Sequence, residues 1–573
     1  MNARLLITWM PQLAVMVALA VSFGLVALAP SGLAAQEPAS APPSSPPPPS
    51  SPPPPALPLH ELIDQQIAAA LAAKSIAAAP LADDAEFLRR VYLDLTGAIP
   101  TFGEAKAFLD DRSPIKRQQL IDRLLNSAEY ARQMQRVFDV ILMERRPANR
   151  IPQPDWERYL RESFAANKPW NQLVREIVAA DGADASLRPA ARFYLDREGE
   201  ANVLARDVGR LFLGRDMQCA QCHDHPLVDS YLQADYYGLV AYFNRSFIFT
   251  PKDQPPVFAE KAEGDVQFKS VFIEGATDQP ARPHLPGEAA ADEPQFEKGQ
   301  EYAVAPADGV RPVPKYSRRA LLPAALSRAE NLAFRRNIAN RLWALMMGRG
   351  LVHPLDMDHP GNPPTHPELL NLLADRIAAM NFDVRAFLRE LALSQTYQRA
   401  SEPPAGAAPP PESLAVAPLR PLSAEQLALA VLQATGVTDA LRAELGPALN
   451  EPALYEKLAG NLAPFVAVFG GQPAQPEQDF QATLEQTLFL ANGGLLRSWI
   501  APRPGNLADR LGRINEPPAV AEAMFLSILT RRPTPEETAE LTALLQARAA
   551  DRPAALQECI WGLIAADEFR FNH

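Results

Sequence analysis

Beyond residue 58 the apolar positions recur every three or four residues, the spacing of a helix with one buried face. In DDAEFLRRVYLDLTG, Phe87, Val91 and Leu95 fall on one face, and Asp83 with Glu86 forms a capping-box pattern at the start. PIKRQQLIDRLLNSAEYARQMQRVFDVILM predicts two further helices. EANVLARDVGRLFLG predicts another, with Leu204, Val208, Leu211 and Phe212 together and Arg206 and Arg210 elsewhere. Alternation at every second position, the mark of a strand, occurs chiefly in VQFKSVFIEG, residues 266–275. Pro- and Gly-rich sequence around it predicts an irregular connector over 250–316. The expected fold is therefore mostly α: two helical bodies, residues 59–249 and 317–573, joined by a short irregular, β-containing connector. SEPPAGAAPPPESLAVAP predicts a loose Pro-rich loop within the second body, residues 401–419.

The chain also repeats itself faintly. LTGAIPT precedes LLNSAEYAR, LTRRPT precedes LIAADEFRF, and LALSQTYQR is a partial third copy. The shared logic is a helix end, a Pro-Thr turn that starts the next helix, and an apolar helix closing on an aromatic. Such a repeat concerns packing rather than chemistry.

The first 58 residues break the pattern. Arg4, an apolar run over 13–29 and small residues over 31–35 predict a secretory signal, residues 1–35. The expected location is therefore periplasmic or cell-surface, with membrane association only if that segment stays uncleaved. APPSSPPPPSSPPPPALP cannot build a core and predicts an extended, disordered tether over 36–58. The formal net charge is −12 with no basic block, which argues against nucleic acid as a partner. No phosphate loop, dinucleotide fingerprint or H-E-x-x-H occurs, so no catalytic residue can be named.

Longer stretches suggest a family. FLRRVYLDLTGAIPT, LIDRLLNSAEYA and FLGRDMQCAQCHDHPL resemble the first of two paired domains of unknown function, the planctomycete cytochrome c-like DUF1549. SRRALLPAALSRAENLAFRRNIANRLWALMMGRGLV, THPELLNLLADRI and LRELALSQTYQRAS resemble its partner, DUF1553. The resemblance implies an exported, mostly helical protein with a suspected haem, and it supplies no reaction. Many relatives carry a small cytochrome-like domain in front, where this chain has a proline tether.

The chemistry concentrates in QCAQCHDHP, residues 218–226. Of the chain's 3 cysteines, two fall here, which makes chance spacing a weak explanation. Three readings stand. In the first, Cys219, Cys222 and His223 form the C-x-x-C-H signature of haem c, with two thiols on the vinyl groups and the imidazole beneath the iron. The role would then be electron transfer or redox chemistry, with an unknown electron partner. A sixth ligand would come from HPLDMDHPGNPPTHPELL, which offers His353, Met357, His359 and His366. His366 is favoured because THPELL best resembles the family, although Thr365 to Glu368 also reads as a capping box. Arg206, Arg210 and Arg215 could pair with propionates.

In the second reading the same cluster, with His225, binds zinc or another transition metal, and the protein is a metal-dependent enzyme. In the third, Cys219 and Cys222 form a disulfide or dithiol pair in an exported scaffold. The motif lies deep inside a helical body, so the ordinary cytochrome c fold is not expected under any reading. Cys559, on an apolar stretch, reads as an inert thiol.

Overall fold

In a computed structural model, the protein is described over residues 57–226, 228–404, 408–476 and 482–573. The predicted signal, residues 1–35, and residues 36–56 of the predicted tether lie outside the described residues. The protein is mostly α-helical, with two helical domains and a short strand-containing connector between them. Each sheet among the described residues is a two-stranded ribbon, and Ser246–Phe249 pairs antiparallel with Val257–Glu260.

The helices begin where local chemistry says they should. Asp83 caps Asp84–Thr96, accepting from the amides of Ala85 (2.9 Å) and Glu86 (2.8 Å). Gly97 ends that helix in the left-handed region at φ 74°. Phe87, Val91 and Leu95 are fully buried, each worth roughly 1.5–3 kcal/mol relative to exposure. The two Pro-Thr turns are true starts: Thr101 with Glu104, and Thr534 with Glu537, form complete capping boxes. The aromatics closing the three repeat copies, Tyr130, Tyr397 and Phe569, are all buried.

The cores do not divide where the chain does. One core gathers residues from Leu59 to Ala415 together with Leu526, so it contains most of the first domain, the first helices of the second and one residue from near the chain's end. The other lies within 422–569 and draws in Leu93 and Ile99 from the first domain. Between them Asp94, fully buried, accepts from the Tyr397 hydroxyl (2.8 Å), the Arg420 guanidinium (2.8 Å) and the Asn572 amide (2.7 Å). One side chain thereby ties the second helix to the far end of the chain.

Composition misjudged two segments. The Pro-rich loop 401–419 is packed rather than loose over 413–417: Ser413 and Ala415 are buried, and Ala415 accepts from the Ala79 amide at 2.8 Å. Burying two small side chains needs no periodicity, so no pattern announced it. In VQFKSVFIEG the strand stops at Phe268, and Val271, Phe272 and Ile273 stand exposed at 66, 74 and 66 %.

Candidate cofactor site

The motif is delivered by the helix Ala201–Leu213, whose Leu204, Val208, Leu211 and Phe212 are buried as their spacing required. Gly214 ends the helix at φ 68°, a conformation that an L side chain resists. The emerging chain is clamped by the second domain. The Asp216 amide donates to the Asp356 carbonyl (2.7 Å), and the Asp358 amide donates to the Gly214 carbonyl (2.9 Å). A 3-10 turn, Gln218–Gln221, follows, with the Asp216 carboxylate accepting from the Gln218 amide at 3.0 Å. Met217 and Ala220 point into the core, which leaves Cys219 and Cys222 exposed, both as free thiols.

Backbone carbonyls in the motif anchor its surroundings. The Gln221 carbonyl accepts from the Tyr237 hydroxyl (3.1 Å) and the Gln233 amide (3.2 Å). The Cys222 carbonyl accepts from the Val271 amide at 3.1 Å, which brings the exposed Val271, Phe272 and Ile273 against the motif. Phe272 meets the His223 ring edge-on, with centroids 4.7 Å apart. His223 Nδ1 hydrogen-bonds the Asp224 carbonyl. A carbonyl only accepts, so Nδ1 carries the proton and Nε2 is the nitrogen left for a ligand.

The second domain also contributes a histidine. Tyr231, buried, stands between His225 (5.9 Å) and His359 (5.4 Å), both approached edge-on. Neither ring nitrogen of His359 has a hydrogen-bond partner among the described residues, although both are buried. Burial, and then the neighbouring His225, push its pKa down. His366 has different neighbours. It is the N-cap of Pro367–Ala379, its Nδ1 lies 3.1 Å from the Thr365 hydroxyl, and burial and then Lys74 lower its pKa. The Thr365–Glu368 capping box does not form there, because Pro367 occupies the first helical position and no side chain caps the helix. Sequence spacing could not rank His359 above His366, since both occur in one stretch.

Residues 62–247 match the family described as a protein of unknown function, DUF1549. Residues 318–545 match a second, also described as a protein of unknown function, DUF1553. The chain belongs to the family of paired DUF1549–DUF1553 proteins. No curated protein and no solved structure matches it. The DUF1549 match covers the whole cysteine motif, and the DUF1553 match covers His359 and His366.

The DUF1549–DUF1553 frame sorts the remaining candidates. Among the described residues no group of three or more His, Cys, Asp or Glu side chains is placed to hold a metal ion, so Cys219, Cys222, His223 and His225 are not gathered as a closed four-ligand site. The groups a covalent haem would use are two exposed thiols, an imidazole whose Nδ1 is bonded to the Asp224 carbonyl, and exposed apolar side chains beside that ring. Arg210 is taken up by Glu144, Asp207 and Asp356, and Arg206 by Asp207. Arg215 stands beside Tyr231, and its buried Nε lacks a partner among the described residues. Cys559 is partly buried, and burial pushes its thiol pKa up, in keeping with an inert role.

Proposed function

We propose that this protein is an exported c-type haem protein with an electron-transfer or redox role at the cell surface or in the periplasm. Cys219 and Cys222 would hold the macrocycle, and His223 would ligate through Nε2. When bound, haem supplies a one-electron couple. The chain's own part is to hold the imidazole by the Asp224 carbonyl and to place hydrophobic surface beside the ring. The observation that carries the reading is the exposed triplet Val271, Phe272 and Ile273, hydrogen-bonded to the motif through Cys222. Water-exposed apolar side chains in a row are costly and call for a cover, and a porphyrin face is such a cover.

The test is an absorption spectrum, oxidised and reduced, with an intact mass, on mature protein from a host with haem-lyase machinery. A Soret band, sharp reduced bands and one added haem mass are expected, all absent from Cys219→Ala/Cys222→Ala. A colourless parent of unmodified mass would end the proposal.

A further inference from the structure

A second site lies away from the motif. The helices Ala128–Met143 and Gln153–Ala165 of the first domain face Ala424–Thr435 and Glu451–Phe469 of the second across a cavity of about 500 Å³. On its wall Arg136 is 8 % exposed. Its Nη2 is fully buried without a hydrogen-bond partner among the described residues, while the guanidinium carbon stands 5.8 Å from the centre of the Tyr455 ring. The acids nearest to it are already engaged. Glu425 takes a two-point contact from Arg145 (2.7 and 3.3 Å), and Glu157 accepts from Gln153 (2.7 Å) and the Tyr455 hydroxyl (2.6 Å). Glu425 and Glu157 favour the charge of Arg136 from nearby, but a buried guanidinium nitrogen without an acceptor is expensive, and folds retain one chiefly where something else supplies that acceptor.

The same cavity offers acceptors. The Gln153 amide donates to both Asp139 (3.0 Å) and Glu157 (2.7 Å), which holds the two carboxylates side by side. Trp156 Nε1 fixes the other oxygen of Asp139 at 2.8 Å. We propose that this cleft binds a small hydroxylated anion of the sugar-acid class, its carboxylate paired with Arg136 and its hydroxyls donating to Asp139 and Glu157. The volume suits a ligand of that size. Burial, opposed by Arg192 and aided by Glu157, pushes the Asp139 carboxyl up to about 6, so its acceptor strength is tuned within the ordinary pH range. Each of these carboxylate oxygens already accepts one hydrogen bond and keeps a further lone pair, which a ligand hydroxyl can use and a simple anion cannot.

The test is thermal unfolding and calorimetric titration of the full mature chain with glucuronate, glucose and sulfate. A ligand that binds only the native state raises Tm saturably. Glucuronate should do so, and glucose and sulfate should not. Arg136→Met should abolish the glucuronate shift while unfolding no earlier than the parent without ligand, since it removes a buried nitrogen that lacks a hydrogen-bond partner. Glu157→Gln, a milder change, should weaken glucuronate about tenfold. Absence of a saturable glucuronate shift in the parent would overturn the site, as would an undiminished shift in Arg136→Met or an unchanged affinity in Glu157→Gln. A sulfate shift equal to that of glucuronate would overturn the ligand class. A marked loss of unliganded stability in Arg136→Met would assign that side chain to packing.

Discussion

One helix joins two regions that treat their polar groups in opposite ways. Within Ala201–Leu213, Asp207 is fully buried yet meets Arg197 at 2.7 Å, Arg146 at 3.1 Å and Arg210 at 3.2 Å. Glu144 takes Arg146 and Arg210 from the other side. Just past Gly214 the rule reverses: thiols lie free at the surface, His223 keeps a nitrogen for a ligand, and apolar side chains face water. Charges that find partners inside the chain hold it together. Groups left without partners, at the motif and at Nη2 of Arg136, are those that the two proposals above assign to ligands.

The sharpest way to break this contrast is to unpair the buried side. Asp207→Asn should cost about 3–5 kcal/mol, read as a lower urea midpoint at unchanged slope, because the guanidiniums of Arg146, Arg197, Arg206 and Arg210 lose a shared counter-ion. Burial alone would raise the Asp207 pKa, but Arg197, Arg210 and Arg146 hold it far below the ordinary carboxylate range. Its stabilisation is therefore complete above that range and is lost as pH falls through the lowered value. A variant as stable as the parent would dissolve the distinction between the two regions.

Asp139 gives the opposite sign and a smaller effect. Its folded pKa of about 6 lies above the ordinary 3.8, so its contribution is present below the unfolded value and is lost as pH rises through 6. The gap between those two values corresponds to roughly 3 kcal/mol at most. Asp139→Asn should remove that slope from the pH dependence of unfolding between about pH 4 and 6. An unchanged slope would mean that the carboxyl is solvated, and the cleft would lose one of its two acceptors.

These charges also mark the limit of what the sequence reveals. The amphipathic faces of the helices and the Pro-Thr turns were legible because periodicity and capping are local, decided within a few residues. Arg210 could be read as a possible propionate partner only because its real partners, Glu144 and Asp356, lie far away in sequence. The motif itself was legible from spacing. Its apolar rim was not, since VFI reads as a strand, whereas the backbone hydrogen bond from Val271 to the Cys222 carbonyl and the Phe272 contact with His223 tie it to the motif. The division between the cores near residue 420 was equally hidden, because Leu93 and Ile99 leave their own domain's core for the other.

The local reading of the repeat can be tested by paired caps. Thr101→Ala and Thr534→Ala each remove the hydroxyl that accepts from the third helical amide, at 3.2 Å in both boxes. Each should cost about 1 kcal/mol in denaturant unfolding, and the two costs should add if the turns are independent. Costs that depart from additivity would show that the two turns are coupled, since Arg532 beside Thr534 reaches the helix that Thr101 starts through Asp110.

The smallest effect on stability is expected at the site that matters most for the proposed function. Phe272 is 74 % exposed and touches the His223 ring without filling any core. Phe272→Ser should therefore change unfolding free energy by less than about 0.5 kcal/mol in protein without cofactor. The same change removes apolar surface beside the imidazole, so it should lower the fraction of protein matured with haem and shift the Soret band of what remains. Stability and cofactor readouts must separate if the rim is there for a ligand. A loss of stability with an unaltered spectrum would make Phe272 a packing residue, and the exposed triplet would no longer support a haem at Cys219, Cys222 and His223.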